Sequence, residues 1–305
     1  MRYVVTGAAG FIGSHLVEAL HAANHDVVAI DSFTDYYDPA LKEENAAAFD
    51  VSRLDLAEEE LALDGFDGVF HLAGQPGVRS FGPVFDDYVR RNLVATQRVF
   101  ESAARAGVRV VFASSSSVYG DAEAYPTAED VSPAPISPYG ITKLGCEHLA
   151  YAYAKAFALD TVVLRYFTVY GPRQRPDMAF ARVVDALARG SSFELYGDGS
   201  QSRSFTYVGD VVAATVAAME RARTGTLYNV GGGAEATMRD AIATLEEVSG
   251  RRLDLAVRPA AAGDVRRTAA DTGRIERDLG WRATTELGDG LRAQWDWASV
   301  RVAAP

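Results

Sequence analysis

Cysteine is almost absent from this chain, since Cys146 is the only one among 305 residues. A single cysteine excludes a disulfide framework and a cysteine-based metal centre, and we expect no bound metal. Basic residues are also too few to balance the acidic ones, which gives a net charge of -11. This charge argues against nucleic acid or an anionic membrane as a partner. It does not exclude an anionic substrate, because a local arginine pocket can override the global sign.

Long hydrophobic runs are missing as well. No apolar run reaches the ~18 residues that a membrane span requires, and the first residues lead directly into a strand-like segment. We therefore expect a cytoplasmic protein with no membrane partner. Hydrophobic residues make up 48% and charged residues 23% of the chain, which are ordinary proportions for a globular enzyme with a large core.

Short runs rich in valine and isoleucine alternate with amphipathic segments in the first half of the chain. The candidate strands are Tyr3–Thr6, Val27–Asp31, Val69–Leu72, Val108–Ala113 and Thr161–Arg165, and the candidate helices include Phe11–Ala23, Val84–Ala106 and Tyr139–Leu159. This alternation predicts an α/β fold of the Rossmann type, with a doubly wound parallel sheet covered by helices on both faces.

The sequence becomes more polar and richer in loops from Tyr170 onward. Shorter helices are expected near 178–189, 209–221 and 238–248. We therefore expect one domain over 1–169 and a smaller α/β domain over 170–305. The chain is expected to return to the large sheet within 205–232, near Leu227–Val230.

A glycine-rich turn joins the first strand to the first helix. Gly7, Gly10 and Gly13 permit a tight turn, close approach of a pyrophosphate and close packing of helix on sheet, while Phe11 and Ile12 begin the helix. Their spacing is Gly-x-x-Gly-x-x-Gly rather than the Gly-x-Gly-x-x-Gly of ordinary dehydrogenases. The pattern predicts a dinucleotide site at the start of this helix.

An acidic residue follows at the expected distance, since Asp31 ends the second strand 18 residues after Gly13. A carboxylate there accepts hydrogen bonds from both ribose hydroxyls and repels a 2'-phosphate, so we expect NAD rather than NADP. Asp55 and Leu56 are expected to flank the adenine, although an aspartate that caps a helix gives the same letters. The turn Leu72-Ala73-Gly74 lies at the end of the candidate strand Val69–Leu72, where small residues let the backbone approach the cofactor.

Tyr139 and Lys143 lie four residues apart on one helical segment, so they share a helix face. A free tyrosine has a pKa near ~10 and is a poor base at neutral pH. A lysine cation below the phenol and a positively charged nicotinamide both favour the phenolate. The serine run 114–117 lies upstream, and Ser115 and Ser116 are expected to hydrogen-bond the same substrate oxygen as the tyrosine.

These motifs, in this order, resemble the extended short-chain dehydrogenase/reductase family over nearly the whole chain. Further matches are Asn92, the segments 166–172, 197–199 and 203–205, and 263–265, although Ser204 stands where the family usually has aspartate. The resemblance implies tightly held NAD, with Asn92 and Tyr166 in the cofactor site, and a UDP-sugar substrate in the 170–305 domain. It also implies a homodimer built from the helices around 84–106 and 139–159.

The serines at positions 116 and 117 indicate which class of enzyme within that family the chain resembles. Dehydratases of the family carry an Asp-Glu pair where Ser116 and Ser117 stand, and sugar-acid decarboxylases carry a glutamate at the place of Ser117. Without a carboxylate there, the resemblance implies oxidation and re-reduction at C4, which is epimerisation. The segment 166–178 resembles the UDP-glucuronate 4-epimerases, because relatives that act on neutral sugars often have asparagine in place of Thr168. The expected substrate-binding residues are Arg79, Ser115, Ser116, Ser117, Thr168, Arg175, Met178, Phe180, Arg203 and Arg266.

Several alternatives remain open from the sequence. Arg175 is expected to bind either a sugar carboxylate or the diphosphate, because a guanidinium fork matches both anions. A UDP-glucose 4-epimerase is the nearest alternative function, followed by a net dehydrogenase. A non-catalytic NAD-binding module is a third alternative, but such a module has no need for a Tyr139–Lys143 pair.

Overall fold

The computed structural model describes residues 1–77, 81–122, 124–259 and 267–303. In chain order its strands are β1 Arg2–Thr6, β2 Asp26–Asp31, β3 Val51–Arg53, β4 Gly68–His71, β5 Arg109–Ser115, β6 Thr161–Tyr166, β7 Thr168–Tyr170, β8 Ser192–Tyr196, β9 Ser202–Tyr207, β10 Leu227–Val230, β11 Glu235–Thr237, β12 Asp254–Arg258 and β13 Arg267–Thr268. Its α-helices are α1 Phe11–Ala22, α2 Pro39–Asn45, α3 Phe85–Tyr88, α4 Ala95–Ala106, α5 Pro138–Phe157, α6 Ala179–Arg189, α7 Val208–Arg221, α8 Met238–Ser249, α9 Gly273–Leu279 and α10 Leu287–Ala303.

Seven strands form one sheet in the order β10-β6-β5-β4-β1-β2-β3, and every neighbouring pair is parallel. Side chains alternate between two hydrophobic layers along each central strand, as the two-residue period requires. Val5 and Phe70 pack with α1 and α7 on one face, whereas Val4 and Val69 pack with α4 and α5 on the other. The Rossmann-type α/β fold predicted from the sequence is therefore confirmed.

The strand order reverses between β1 and β4, because the chain proceeds to β2 and β3 on one side and then crosses back. In parallel sheets a ligand cleft opens at such a reversal, beyond the carboxyl ends of the strands. The segments after β1, β2, β4, β5 and β6 are thus brought to one edge of the sheet.

The expected helix over Val84–Ala106 has a more complex form. A 3₁₀ turn over Gly82–Val84 leads into α3, a π-helical segment spans Val89–Val94, and α4 follows. A π segment has one extra residue per turn, and it changes which side chains face the sheet. Apolar periodicity alone does not reveal such a segment.

The second half of the chain contributes to two layers. Strand β10 lies beside β6 in the large sheet, and α7 covers that sheet beside α1. The remaining strands form two small sheets, and a separate apolar cluster joins α6, α8 and α10 around Tyr170, Phe180 and Leu245. The division into domains over 1–169 and 170–305 stays a prediction. None of the described helices is long and apolar enough to cross a bilayer.

Candidate active site

The loop between β1 and α1 forms a cradle of bare backbone. Gly7 has φ +70°, and a side chain there would come within 2.8 Å of the Ala73 amide nitrogen. A side chain on Gly13 would lie 2.1 Å from the Gly7 carbonyl oxygen. At Gly10, by contrast, a side chain would meet one described atom within 4 Å, the Gly7 oxygen at 3.0 Å, so there is space on its other sides. The first amides of α1, at Phe11 and Ile12, border this space, which fits a pyrophosphate.

Asp31 lies at the end of β2, as predicted, and its carboxylate is nearly buried. It accepts hydrogen bonds from the backbone amides of Ala9 at 3.2 Å and Phe33 at 2.8 Å. Its position above the glycine loop fits a ribose. The Lys42 ammonium lies 4.0 Å from the carboxylate and donates to both oxygens of Thr34. Burial lowers the pKa of Lys42.

Sequence analysis missed Lys42 because it lies 11 residues from Asp31 on the short helix α2, and no motif spacing signals it. Lys42 is 7% exposed in its side chain and already engaged by Thr34, so it is poorly placed to bind a 2'-phosphate. The preference for NAD expected from Asp31 therefore remains consistent with the cation beside it.

Asp55 and Leu56 lie in two different environments. The Asp55 carboxylate accepts from the Ala57 amide at 2.9 Å, the local turn that the alternative interpretation allowed, and from Arg90 at 2.6 Å. Leu56 is 5% exposed and packs in the core beside α4, because its side chain points away from Asp55. A cleft of about 310 Å³ opens here instead, lined by Ser32, Thr34, Arg53, Leu54, Asp55, Arg90 and Arg91. Leu54, rather than Leu56, lines this cleft.

The turn after β4 is held by Asn92 from the π-helical segment. Asn92 accepts from the Gln75 amide at 2.7 Å and donates to the Gln75 carbonyl and to Thr142. A side chain on Gly74 would lie 2.8 Å from the Asn92 oxygen. Asn92 is 1% exposed, so its hydrogen bonds fix the Leu72-Ala73-Gly74 turn rather than reach outward to a cofactor. The turn itself brings bare backbone to the cleft.

Tyr139 and Lys143 lie in the first two turns of α5. Ser137 caps this helix by accepting from the Gly140 amide, and Pro138 occupies its first turn, which fixes where the helix begins. The Lys143 nitrogen donates to the Ala113 carbonyl at 2.9 Å and lies 5.9 Å from the centre of the Tyr139 ring. The lysine is 4% exposed, so its charge acts in a poorly solvated space.

The serine run lies at the carboxyl end of β5. Ser115 accepts from the Ser117 amide and donates to the Ser117 hydroxyl, both at 3.1 Å, and so caps the 3₁₀ turn Ser116–Tyr119. Ser116 and Ser117 are half-buried, whereas Ser115 is buried. These hydroxyls are held in place by local hydrogen bonds next to the strand that receives Lys143.

His71 is a packed residue and not a base. Its two ring nitrogens lie 2.7 Å from the Thr6 hydroxyl and 3.0 Å from the Thr96 hydroxyl. Complete burial, together with the nearby Lys143 charge, lowers the pKa of His71 to about 3. It is therefore neutral at physiological pH.

Of the arginines that are expected to bind the substrate and that the structure describes, Arg175 is the one near Tyr139, the expected base. Its guanidinium forms a two-point ion pair with Asp177, with both nitrogen–oxygen distances at 3.0 Å, and it interacts electrostatically with Tyr139. Tyr36 donates to the same Asp177 carboxylate at 3.3 Å. The Asp177 carboxylate thus holds the Arg175 guanidinium at the cleft, where the guanidinium is only partly exposed to solvent.

The other expected substrate residues are distributed differently. Thr168 begins β7 and is half-buried, and Met178 lies at the start of α6. Arg203 lies on β9 and donates to the Ser202 carbonyl, while the neighbouring Ser204 hydroxyl accepts from the Gly232 amide. Arg79 and Arg266 lie outside the described residues.

Two expected site residues point into the core instead. The Phe180 side chain is 2% exposed and packs between Tyr170 and Phe205, because this side of α6 faces the small sheet. The Tyr166 hydroxyl lies 2.7 Å from that of Thr215 on α7, and burial raises the pKa of Tyr166. Both side chains therefore support the cleft from behind.

A glycine cradle, an acidic residue at the end of β2 and a Tyr-x-x-x-Lys pair beside serines define a dinucleotide enzyme of the short-chain dehydrogenase/reductase type. The chain belongs to the NAD dependent epimerase/dehydratase family, whose model matches residues 3–231, and its cofactor is NAD. The cradle and the Asp31 position fit this cofactor.

Three similar proteins are informative. The crystal structure of UDP-glucuronic acid 4-epimerase from Bacillus cereus, in complex with UDP-glucuronic acid and NAD, is 40% identical with a TM-score of 0.95, and covers 99% of this chain and 100% of that one. An uncharacterized UDP-glucose epimerase YtcB of Bacillus subtilis is 40% identical, over 95% of this chain and 96% of its own length. A probable UDP-glucuronate 4-epimerase of Rhizobium meliloti is 36% identical, over 97% and 96%.

Replacement of Asp31 tests the ribose assignment. NAD is expected to co-purify with the wild-type protein, at least in part. Asp31→Ala should weaken NAD binding about tenfold or more, because hydrogen bonds to a charged group are lost. It should also reduce the ratio of the affinity for NAD to the affinity for NADP. Calorimetric titration of both cofactors measures this. Asp26→Asn, at the opposite end of β2 in a surface pair with Arg2, is the control. A wild-type protein that binds NADP as tightly as NAD contradicts the assignment.

The two glycines of the cradle should separate folding from cofactor binding. Gly13→Ala forces a carbon against the Gly7 carbonyl and should lower the free energy of unfolding by about 1–3 kcal/mol, as overpacking does. Gly10→Ala should stay near wild-type stability but bind NAD about tenfold more weakly, a loss of about 1.4 kcal/mol. Thermal unfolding without NAD and NAD titration measure the two effects. The prediction is wrong if Gly13→Ala and Gly10→Ala change the unfolding temperature by the same amount and also change the NAD affinity by the same factor.

Proposed function

We propose that this protein is an NAD-dependent epimerase that inverts C4 of UDP-glucuronate to give UDP-galacturonate. The observation that carries the proposal is the Tyr139–Lys143 pair at the start of α5, next to the serine run at the end of β5. Arg175, which Asp177 holds by a two-point ion pair, supports the choice of substrate because a guanidinium can bind a sugar carboxylate. The serines at 116 and 117 support it, because neither can provide the acid or base that water loss or decarboxylation uses. Similarity to the Bacillus cereus enzyme supports the same substrate.

The glycine cradle and Asp31 would hold NAD, which would supply a hydride acceptor for C4 and then a hydride donor for the other face of the sugar. Tyr139 takes the proton of the C4 hydroxyl and later gives it back. Lys143 stabilises the phenolate from below, because its ammonium is buried and donates only to a neutral carbonyl among the described groups. Ser115 and Ser116 donate hydrogen bonds to the C4 oxygen as charge develops on it.

The carboxylate of the substrate sets a second requirement. A 4-keto uronate is a β-keto acid, and it loses carbon dioxide readily when its carboxylate aligns over the carbonyl. An epimerase must therefore hold that carboxylate away from this alignment. Thr168, the serines and Arg175 are the groups that we assign to it, with the ion pair to Asp177 orienting the guanidinium.

A UDP-glucose 4-epimerase is the alternative function. One observation favours it, since Asp177 already neutralises Arg175, which reduces the need for a charged sugar at that point. The similar protein of Bacillus subtilis is named as an uncharacterized UDP-glucose epimerase. A non-catalytic NAD-binding module is less well supported, because it leaves the tyrosine, lysine and serines without a role. A net dehydrogenase would use the same residues, but it would need added NAD and would accumulate NADH.

The quaternary structure and location belong to the same proposal. We assign a homodimer to the outer face of helices α4 and α5, because Ile141, Tyr151 and Phe157 expose apolar surface on α5. A second copy that applies the same helices would bury these side chains. A cytoplasmic location stays a prediction.

Substitutions in the catalytic pair should stop turnover without unfolding the protein. Tyr139→Phe removes the base and Lys143→Ala removes the cation that stabilises it, so both should be folded and nearly inactive. Ser115→Ala should lose about 10²-fold in kcat, the typical loss for one oxyanion donor. Steady-state kinetics with circular dichroism as the folding control measures this. Activity of Tyr139→Phe within tenfold of wild type would rule out the mechanism.

The substrate assignment is tested by product analysis. The protein is incubated without added cofactor with UDP-glucuronate and, separately, with UDP-glucose, and the products are identified by chromatography and NMR. UDP-galacturonate is the expected main product, formed reversibly and without release of carbon dioxide. A UDP-pentose product would mean decarboxylation. Faster turnover of UDP-glucose than of UDP-glucuronate would establish the alternative.

A further inference from the structure

A buried ion pair outside the catalytic set lies directly behind it. Glu147 on α5 and Arg165 on β6 have side chains 7% and 4% exposed. One carboxylate oxygen accepts from Arg165 Nε at 2.9 Å and from the Ser114 hydroxyl at 2.5 Å, and the other accepts from Arg165 Nη2 at 2.6 Å. The guanidinium carbon lies 4.6 Å from the centre of the Tyr119 ring.

This ion pair is not expected to make a large contribution to the stability of the fold. Removing two charges from water is costly, and a buried pair offsets that cost only when its remaining groups are satisfied. Arg165 Nη1 is buried and has no hydrogen-bond partner among the described residues. An apolar pair of similar volume would fill the same space without this orphaned donor. The hydrogen bonds of Glu147 point to a different role.

The partners of Glu147 show what it fixes. Ser114 and Arg165 face each other as register partners on the neighbouring strands β5 and β6. Ser115 follows the first of them, and the segment that leads to Thr168 follows the second. One carboxylate therefore ties α5 to both strands at the last residues before the groups that contact the sugar.

The contact repeats along α5. Tyr139, Lys143 and Glu147 are spaced by four residues and lie on one helix face. Lys143 donates to the carbonyl of Ala113, and Glu147, one turn later, accepts from Ser114, the next residue of β5. Two successive turns of α5 are thus hydrogen-bonded to two successive residues of β5.

Arg165 also determines which cation Glu147 neutralises. Residues four apart on a helix are close enough to form an ion pair, so Glu147 can reach Lys143. Because Arg165 engages both carboxylate oxygens, Lys143 instead donates to a neutral carbonyl and keeps its full charge for Tyr139. A Glu147–Lys143 pair would oppose the phenolate.

We propose that Glu147, held by Arg165, is a positioning residue that sets the distance between Tyr139 on α5 and Ser115 on β5. It acts through Ser114 and touches neither substrate nor cofactor. The inference rests on the proposed epimerase activity but not on the identity of the sugar. Because the contact between Glu147 and Ser114 acts on the reacting geometry and not on the nucleotide cradle, its loss should lower kcat and leave binding unchanged.

The double variant Glu147→Met/Arg165→Met tests the proposal, since it replaces the pair with apolar side chains of similar length. It should unfold at or above the wild-type temperature, because no charge remains buried. Its NAD affinity and its KM should stay within about twofold of wild type, while kcat should fall about tenfold or more, as small misplacements of reacting groups cause. Glu147→Gln and Ser114→Ala should each lower kcat in the same selective way.

Asp160→Asn is the matched control. Asp160 pairs with Arg109 at 2.8 Å and joins the opposite ends of the same two strands, remote from the site. Its loss should lower stability and leave kcat unchanged. The assay uses whichever of UDP-glucuronate and UDP-glucose the wild type converts, so a wild type inactive on both rejects the proposed function instead. Wild-type kcat in a folded double variant, or in both Glu147→Gln and Ser114→Ala, overturns the positioning role.

Discussion

All seven strands of the large sheet run in the same direction, and the site depends on this constraint. The carboxyl ends of parallel strands share one edge, so the segments that follow β1, β2, β4, β5 and β6 meet there although they are spread over more than 160 residues. The reversal of strand order between β1 and β4 opens the cleft at that edge. Loop composition then determines the chemistry. Bare glycine backbone lies after β1, a carboxylate ends β2 and hydroxyls end β5.

Each buried charge at this edge has a particular partner. Lys143 donates to a backbone carbonyl, Asp31 accepts from two backbone amides beside Lys42, and Glu147 is neutralised by Arg165. In a poorly solvated region such interactions are strong, and a charge that is left unpaired is costly. The arrangement gives Lys143 a neutral partner while the acidic residue nearest along α5 is engaged elsewhere. The charge of Lys143 is thereby directed to the tyrosine.

Sequence patterns predicted the fold and the chemistry-bearing motifs well, for identifiable reasons. The five strands and the main helices predicted in the first half occur within a few residues of the expected limits, because buried parallel strands are continuous apolar runs. The glycine loop, Asp31 and the Tyr139–Lys143 pair are local patterns whose geometry follows from a turn or a helix. The π-helical segment over Val89–Val94 was missed, since it preserves the apolar composition of an ordinary helix.

Side-chain direction at the site could not be read from the sequence. Leu56, Phe180 and Tyr166 lie in the right segments, but their side chains pack into the core. Lys42 and Glu147 were not predicted, because their partners lie 8 to 33 residues away and no spacing rule connects them. Neighbouring residues in a segment can face opposite sides, and only packing against another element decides which one faces the cleft.

The sequence by itself determined the parallel α/β architecture, the glycine cradle, the acidic end of β2 and the catalytic pair on one helix face. The last three depend on residues within a few turns of one another, so local backbone geometry suffices to specify them. The architecture follows from the alternation of apolar strands and amphipathic helices along the chain. The tertiary structure alone decided that Asn92 holds the turn after β4, that Tyr36 donates to the Asp177 carboxylate that pairs with Arg175, and that Glu147 joins α5 to two strands. Those contacts depend on how the helices and loops pack against the sheet. They form only when segments distant in the chain come together.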